Sequence, residues 1–486
     1  MLENVFVKGC GAYVPKFRIA AEEIAKMWGG GSPGVKEKTV PDMDEDVITM
    51  AVGAGQNALK ECGIDSEKIG YLAIASVSSP YIQKSVAAEV ALPLGVPETA
   101  TMLDLGGSTV AGTRALIACH DAIRAGRAQF GMVIASDNLS GIGMPGDPLE
   151  FTYGAGAAAI VLCTQEGIAK IGGITGISTG FVNTWRADGD RFVQRYDDPR
   201  FEREYGCGPH IQKAAKLLVE KLGIQLKEIH HIALHEQDGR LPQAIAKSLG
   251  MKWHMERAIA PYCGDTGCSS PFLGLLSNLG EGKIGDKILL VSYGSGAGSD
   301  AMIFEITEET RSPKNGVLSL KEQIAQKENI DYLTYQKLIG IVKRPFPLRD
   351  PMSSFPAGPA FWREREYLVG LKGLKCTKCG SINFPKRDYC VDCRNDRFEA
   401  IRLPRRGEIV TYNIQHVLAM APEEAPVVVC TVRLAGAKDT RGGKISATMV
   451  SCDPNKVHIG MLVELVFRRC GMELGLAKYG YKVKPV

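Results

Sequence analysis

The sequence lacks the features that would place the protein in a membrane or on a nucleic acid. No stretch reaches the roughly 18 apolar residues needed to cross a bilayer. The N-terminus has no basic region followed by an apolar run, so it does not resemble a signal peptide. Neither sign of charge dominates, because 58 Lys and Arg residues stand against 54 Asp and Glu residues, spread along the chain. We therefore expect a soluble, cytoplasmic protein with no membrane and no nucleic-acid partner.

Cysteine is well represented, and four of the 14 cysteines form one C-x2-C-x10-C-x2-C frame. The frame comprises Cys376, Cys379, Cys390 and Cys393. Two such knuckles bring four thiolates to one tetrahedral point, as in structural zinc sites. A thioredoxin-like redox pair is the alternative, and it would need a single C-x-x-C inside a strand–helix unit. The other cysteines show no pairing pattern, and a zinc site needs reduced thiols, which again favours the cytoplasm.

The chain is too long for one core and should divide into about two or three domains. Residues 1–343 alternate β-branched runs with amphipathic helical patterns, ending in a polar, helix-like stretch over Leu318–Ile339. The Pro-rich residues 344–360 indicate an extended linker. We assign residues 361–403 to a helix and the zinc ribbon, and residues 404–486 to a small antiparallel barrel of the OB type.

The same patterns predict individual elements. In the first domain the predicted strands are Val5–Val7, Tyr71–Ser76, Gly131–Ala135, Ala158–Cys163, His231–His235 and Lys287–Val291. The predicted helices are Asp46–Cys62, Ser85–Leu94, Gly112–Arg124 and Ile211–Leu222. The predicted barrel strands are Glu408–Gln415, Val427–Leu434, Lys444–Ser451 and Leu462–Arg468.

The first domain resembles the 3-hydroxy-3-methylglutaryl-CoA synthase family of the thiolase superfamily. The resemblance is carried, in order, by the strings GCGAYVPKFRI, DEDVITMAVGAGQNAL, SSPYIQKS, FTYGAGAAAIVL, TWRADGDRF, VSYGSGAGSDAM and IDYLTYQK. It implies an α/β, thiolase-like five-layer α-β-α-β-α fold of two similar halves. It also implies a homodimeric core, with a coenzyme A thioester as ligand or substrate.

From about Phe361 the chain resembles zinc-ribbon and OB-fold proteins that accompany thiolase-like enzymes. The matching features are the FW pair, the cysteine frame, the string LPRRGEIVTY and the turn IGMLVEL. In such relatives these domains are usually a separate subunit beside an enzyme that acts on C–C bonds of acyl-CoA. The resemblance therefore implies a thiolase-like catalytic subunit as partner and a structural zinc ion.

The family's catalytic pattern falls on residues that cannot carry its usual chemistry. Counting from Asp104 and from the string Ala111-Gly112-Thr113 places Thr109 at the position of the nucleophilic cysteine. Counting back from the string SPY places Val77 at the position of the acid/base glutamate. A hydroxyl ionises far less readily than a thiol, and valine moves no proton. Cys119 is either a packed core thiol or a displaced nucleophile.

A histidine and a carboxylate remain as candidates for catalysis. His235 matches the family's histidine that hydrogen-bonds the acceptor carbonyl, although a structural histidine is the alternative. Asp265 matches the family's nearby asparagine, so the two residues could form a general-base pair. Cys263 and Cys268 flank the same loop as thiols near the site or as packed core residues.

The residues that would hold coenzyme A are better preserved. By resemblance, Trp185 and Arg186 contact the nucleotide. The same resemblance places the loop that includes Gly294, Ser295 and Gly296 beside the acyl site, where its backbone N–H groups could stabilise an oxyanion. These glycines could instead serve close packing.

Three functional hypotheses follow. The first is an acyl-CoA-binding subunit with a degenerate site, which works with a thiolase-type partner on a β-ketoacyl-CoA or β-hydroxyacyl-CoA. The second is a stand-alone retro-aldol or Claisen-type lyase that forms no acyl-enzyme. The third is a hydroxymethylglutaryl-CoA synthase with a shifted nucleophile. Nucleic-acid binding rests on fold analogy alone, because the barrel shows no basic and aromatic stripe.

Overall fold

The computed structural model describes residues 4–31, 34–308, 316–342, 356–418, 425–437 and 441–486. The chain divides into two compact units, Met1–Lys343 (unit 1) and Arg344–Val486 (unit 2). Most of the predicted linker, residues 344–355, lies outside the described residues.

Unit 1 alternates strands and helices along the chain, as its sequence pattern predicts. Its strands are β1 (Phe6–Tyr13), β2 (Phe17–Ala20), β3 (Glu37–Val40), β4 (Ile69–Ala75), β5 (Thr101–Leu105), β6 (Phe130–Asn138), β7 (Ala155–Cys163), β8 (Ala169–Ser178), β9 (Thr184–Trp185), β10 (Gln194–Arg195), β11 (His231–Leu234), β12 (Lys287–Val291), β13 (Gly298–Ile306) and β14 (Glu328–Ile330). Its helices are α1 (Ala21–Trp28), α2 (Val47–Cys62), α3 (Val86–Leu94), α4 (Ala111–Arg124), α5 (Pro148–Thr152), α6 (Pro199–Tyr205), α7 (Cys207–Leu222), α8 (Leu241–Ser248), α9 (Ala260–Cys263), α10 (Ser270–Glu281), α11 (Leu320–Ala325) and α12 (Tyr332–Leu338).

Within the described residues, nine strands form one sheet in the order β11-β12-β13-β8-β1-β7-β6-β4-β5. Every residue of β7 is buried, which explains its unbroken run of small and apolar residues. Buried residues of the central strands β1, β7 and β6 and of helices α4 and α10 belong to the largest hydrophobic core. Because β4, β5 and β6 run parallel, the loops after their carboxyl ends meet at one edge of the sheet.

The boundary of α2 shows how local sequence fixes an element. Asp46 caps the helix by accepting hydrogen bonds from the N–H groups of Ile48 and Thr49, and the Thr49 hydroxyl accepts one from the Asp46 N–H in return. This reciprocal capping box satisfies donors that the first turn leaves unpaired. The predicted start at Asp46 therefore falls on the cap itself.

The single helix-like stretch predicted over Leu318–Ile339 is wrong. Residues Glu328–Ile330 form β14, which separates α11 from α12 and pairs in parallel with β2. The partner strand lies some 300 residues earlier in the sequence, at Phe17–Ile19. A local pattern cannot reveal so distant a pairing.

Unit 2 combines a short helix with two antiparallel sheets. Its elements are α13 (Gly358–Leu368), β15 (Lys372–Cys376), β16 (Ile382–Asn383), β17 (Phe398–Arg402), β18 (Arg406–Gln415), β19 (Val427–Leu434), β20 (Lys444–Thr448), β21 (Leu462–Glu473) and β22 (Leu476–Pro485). The larger sheet has the order β20-β19-β18-β21-β22 among the described residues. Alternate residues of β19 are buried, as expected for a strand with one face on a core. The predicted strand Leu462–Arg468 is too short, because β21 continues to Glu473.

None of the helices in the described part of the chain has both the length and the apolar character needed to cross a membrane.

Candidate active site and metal centre

A cavity of about 540 Å³ lies in unit 1 where several strands and loops end. It brings together seven of the nine residues predicted to act in catalysis or coenzyme A binding. These are Val77, Thr109, Trp185, Arg186, His235, Asp265 and Ser295. Gly294 and Gly296 are not among the lining residues.

His235 and Asp265 form a buried pair at one wall of this cavity. His235 follows the end of β11, and its Nε2 lies 3.1 Å from Asp265 Oδ1. Its Nδ1 lies 2.8 Å from the carbonyl oxygen of Tyr293. Since both ring nitrogens face acceptors, both should carry a proton. Burial is the largest influence on the ring and opposes its charge, but the Asp265 carboxylate and these hydrogen bonds raise the pKa of His235 above its ordinary value.

The backbone holds Asp265 in place. Its N–H donates to the carbonyl oxygen of Thr152 at 2.6 Å, and its own carbonyl oxygen accepts the N–H of Gly154 at 2.9 Å. The preceding Gly264 has φ +74°, and a Cβ there would lie 2.3 Å from the Thr152 oxygen. Only glycine fits this approach, so the loop delivers the Asp265 carboxylate to the cavity at a fixed position.

Thr109 lies just before α4, and its hydroxyl donates to the carbonyl oxygen of Tyr293 at 2.7 Å. Its recorded hydrogen-bond partner is thus a backbone carbonyl, which cannot take up a proton as a general base would. Val77 offers only an apolar side chain to the cavity, and its backbone N–H donates to Asp137 Oδ1 at 2.8 Å.

No thiol lines the described part of the cavity. The three cysteines considered near the site are fully buried, and burial raises the pKa of each thiol. These are Cys119, Cys263 (to about 11) and Cys268. A protonated, sealed thiol is a poor nucleophile, so the core-packing interpretation suits all three.

Two buried carboxylic acids near the site were missed by the sequence analysis. Asp137 accepts hydrogen bonds from the Ser76 hydroxyl, from Ser78 and from the Cys268 N–H at 2.8 Å, and so joins the Val77 loop to the Asp265 loop. Glu236 accepts the N–H groups of Ile259 and Ala260, each at 2.9 Å. Polar residues that directly follow apolar strand runs were the available signal, as in FGMVIASD and HIALHE.

Trp185 and Arg186 lie at the mouth of the cavity. The Trp185 ring is 39% exposed and packs on Tyr196, with the ring centres 4.9 Å apart. Arg186 Nη2 donates to the carbonyl oxygen of Val77 at 3.1 Å. The mouth therefore presents an aromatic face and a guanidinium group, which suit a nucleotide with phosphates.

Two of the three backbone N–H groups proposed for an oxyanion, those of Gly294 and Gly296, already make hydrogen bonds. The Gly294 N–H donates to Gly298 O at 2.9 Å, and the Gly296 N–H donates to Phe181 O at 2.6 Å. Both donors are occupied by backbone acceptors, and Gly294 also serves close packing. A Cβ at Gly294 would lie 2.1 Å from the Ser108 hydroxyl.

The four ribbon cysteines of unit 2 converge as predicted, and their Sγ atoms lie within 4.8 Å of one another. Sγ atoms of Cys376 and Cys393 are 3.6 Å apart, as are those of Cys379 and Cys390. Zn–S bonds of about 2.3 Å in a tetrahedron place sulfurs about 3.8 Å apart, so the set fits zinc. Asn395 and Asn383 side-chain amides point at Cys376 and Cys390 sulfurs, as outer-shell donors do.

Comparison with known proteins agrees with this architecture. Residues 41–147 match the thiolase N-terminal domain, and residues 219–306 match the C-terminal region of 3-oxoacyl-[acyl-carrier-protein] synthase III. Together with the sheet and its cavity, these matches define a protein of the thiolase superfamily.

More narrowly, the chain belongs to the hydroxymethylglutaryl-CoA synthase family. It is 34% identical over 344 residues to the hydroxymethylglutaryl-CoA synthase of Methanopyrus kandleri, covering 69% of this chain and 97% of that protein. It is 35% identical over 339 residues to the enzyme of Methanocaldococcus jannaschii, covering 68% and 97%.

Solved structures confirm the α/β thiolase fold. A crystal structure of HMG-CoA synthase complexed with CoA aligns with a TM-score of 0.62 at 20% identity, over 71% of this chain and 93% of that chain. The 3-oxoacyl-[acyl-carrier-protein] synthase III of Aquifex aeolicus aligns with a TM-score of 0.57 at 21% identity, over 62% and 99%.

Unit 2 has its own relatives. Residues 370–399 match the rubredoxin-like zinc ribbon domain of ChsH2, and residues 400–468 match the C-terminal OB-fold domain of ChsH2. The predictions of a zinc ribbon and an OB-fold domain are confirmed.

Proposed function

We propose that this chain binds an acyl-CoA thioester in the cavity of unit 1 and takes part in forming or breaking a C–C bond beside the thioester carbonyl. In this proposal it carries no acyl group on a side chain of its own. The observation that carries the proposal is a cavity that presents the His235–Asp265 pair but no thiol in its described lining. The family relationship and the CoA complex of a relative support the ligand class.

The chemistry depends on charge at the cavity wall. A thioester acidifies its α-carbon, so C–C bond formation or cleavage there passes through an enolate-like species. A protonated His235 ring held by Asp265 places an oriented ion pair near that species, and its positive end, fixed in advance, stabilises the developing anion. No covalent intermediate is needed for this contribution.

We propose a thiolase-type subunit, with its own reactive cysteine, as the partner that carries the acyl group. The zinc ribbon and OB-fold domains of unit 2 support this partner, because the sequence resemblance of these domains implies a thiolase-like catalytic subunit. The zinc ion would be structural, held by the four ribbon cysteines. Edge strand β5, with Thr101 and Asp104 exposed, supports a homodimeric core through pairing with a second copy.

A stand-alone retro-aldol or Claisen-type lyase is the second candidate. The buried pair favours it, because a carboxylate fixed beside an imidazole can move a proton without a partner chain. A hydroxymethylglutaryl-CoA synthase with a shifted nucleophile is the third, supported by the relatives' activity and opposed by the sealed thiols.

The deciding experiment assays the pure chain against a panel of β-ketoacyl-CoA and β-hydroxyacyl-CoA thioesters, alone and with a thiolase-type chain. We expect turnover only with both chains. His235→Gln and Asp265→Asn should reduce turnover modestly, whereas removing the partner's thiol should abolish it. The exposed Asp188→Asn change serves as control. Enzyme-like turnover by the pure chain would contradict the proposal and favour the lyase, in which Asp265→Asn should abolish activity.

A further inference from the structure

Tyr153 lies at the cavity wall, and its hydroxyl group has no hydrogen-bond partner among the described residues. The residue lines the cavity together with His235 and Asp265 and is 9% exposed. Its hydroxyl makes no hydrogen bond to any described residue. The hydroxyl oxygen is also not one of the fully buried polar atoms that lack a partner, so it keeps some exposure. By contrast, the Tyr293 hydroxyl donates to Asn183 Oδ1 at 3.1 Å. A mostly buried O–H group that reaches a cavity can donate a hydrogen bond to a ligand bound there.

The backbone fixes Tyr153 beside Asp265. The two residues form a parallel β-bridge, closed by the hydrogen bonds that join Asp265 to Thr152 and Gly154. Bridged residues of parallel strands present their side chains on the same face. Tyr153 is therefore held in place before any ligand arrives, as a donor in a catalytic site must be.

The phenol stays protonated in this position. Burial is the main cause that raises the pKa of Tyr153 above its ordinary range, and the Asp265 and Asp147 carboxylates raise it further. The group is thus a hydrogen-bond donor throughout the working pH range.

We propose that Tyr153 is a catalytic residue whose O–H donates a hydrogen bond to the thioester carbonyl oxygen of the bound acyl-CoA as that oxygen becomes an enolate. This inference rests on the proposed function. When the α-carbon releases its proton to solvent, the C–H electron pair forms a C=C bond and the C=O π pair moves onto oxygen. The Tyr153 hydrogen bond stabilises that negative oxygen, a role that the occupied N–H groups of Gly294 and Gly296 do not fill.

The test uses acetoacetyl-CoA, whose enolate absorbs in the ultraviolet, as a probe bound to the full chain. The enolate-to-keto ratio of the bound probe is measured across pH, and the Kd of free coenzyme A is measured alongside. Tyr153→Phe should lower the ratio about tenfold, the effect of losing one hydrogen bond to a charged oxygen. The Kd of coenzyme A should stay within about twofold, because the hydroxyl does not contact the nucleotide.

Tyr71→Phe is the matched control. Tyr71 is 7% exposed, and its hydroxyl also makes no hydrogen bond within the described part of the chain. It lies near the start of β4, far from the loop that follows the strand. This change should leave both measurements unaltered.

An unchanged ratio in Tyr153→Phe would overturn the role of Tyr153 while the proposed function stood. Failure of the wild-type chain to bind either coenzyme A or the probe would overturn the proposed function and this inference together. Should Tyr153→Phe not fold, a ring-fluorinated tyrosine at position 153 keeps the shape and strengthens the donor. The enolate fraction should then rise, and an unaltered fraction would overturn the inference.

Discussion

His235 donates from Nε2 to Asp265 across 3.1 Å, and this contact decides the charge state of the cavity wall. The other ring nitrogen already donates to a backbone carbonyl. The pair therefore behaves as an imidazolium beside a carboxylate, not as a neutral histidine awaiting a proton. Its consequences for stability and for ligand binding can be measured.

The first prediction concerns the pH dependence of stability. Because the fold raises the pKa of His235 above its ordinary value of 6.5, its contribution to the free energy of unfolding is full below pH 6.5 and is lost as pH rises through the folded pKa. In Asp265→Asn the carboxylate, the main group that raises this pKa, is lost, so the pKa of His235 falls and the loss of stability with rising pH becomes smaller. Chemical denaturation at several pH values measures how the free energy of unfolding depends on pH, and NMR of the His235 ring measures its pKa. The same pH dependence in the variant and in wild type would contradict the pairing.

The second prediction concerns Glu236. Burial raises the pKa of its carboxyl group from 4.5 to about 7, so its contribution to stability is full below pH 4.5 and disappears as pH rises through about 7. Glu236→Gln keeps an acceptor for Ile259 and Ala260 but cannot ionise. Relative to wild type, the free energy of unfolding of the variant should rise by roughly 3 kcal/mol as pH increases through this range. Parallel stability curves for the two proteins would show that Glu236 titrates normally.

The third prediction concerns Asp137, which holds two loops together. Asp137→Ala leaves the Ser76 hydroxyl, the Val77 N–H and the Cys268 N–H without their acceptor. Each unpaired buried donor costs about 1–3 kcal/mol, but removing a buried carboxyl group also removes its own cost of burial. We therefore expect the free energy of unfolding to fall by about 2–4 kcal/mol. Denaturant unfolding measures it, with the exposed Asp188→Ala as control; a change as small as the control's would refute the role.

The fourth prediction concerns zinc. Each chain should bind one zinc ion through Cys376, Cys379, Cys390 and Cys393, and the Cys379→Ser/Cys393→Ser double variant should lose it. A small ribbon has little core, so metal loss should unfold the ribbon of unit 2 and leave unit 1 folded. Metal analysis and two-stage thermal melting test this, with Cys452→Ser as control. Zinc retained by the double variant would place the metal elsewhere.

Much of the fold could be predicted from sequence, because most elements carry a local signature. Alternation or an unbroken apolar run identified strands such as β7 and β19 to within a few residues. The strand β14 could not be found this way, since it exists only through pairing with β2.

The site was predictable only in part, for the same reason. Motif positions placed His235 and Asp265 together, and the structure brings them into contact. The role of Asp137 depends on loops that are distant in sequence and meet in the fold. The Tyr153 hydroxyl is available because no described group makes a hydrogen bond to it. Neither property can be predicted from the residues next to Asp137 or Tyr153 in the sequence.

The central claim is that the chain binds an acyl-CoA thioester without taking the acyl group onto a side chain. Its most direct test uses acetyl-CoA and the pure chain. The pure chain is incubated with acetyl-CoA, and its mass is recorded first under native and then under denaturing conditions. The account predicts a non-covalent acetyl-CoA complex in the native spectrum and an unmodified chain after denaturation. An added acetyl group that survives denaturation, on Thr109 or on any cysteine of residues 1–343, would contradict it.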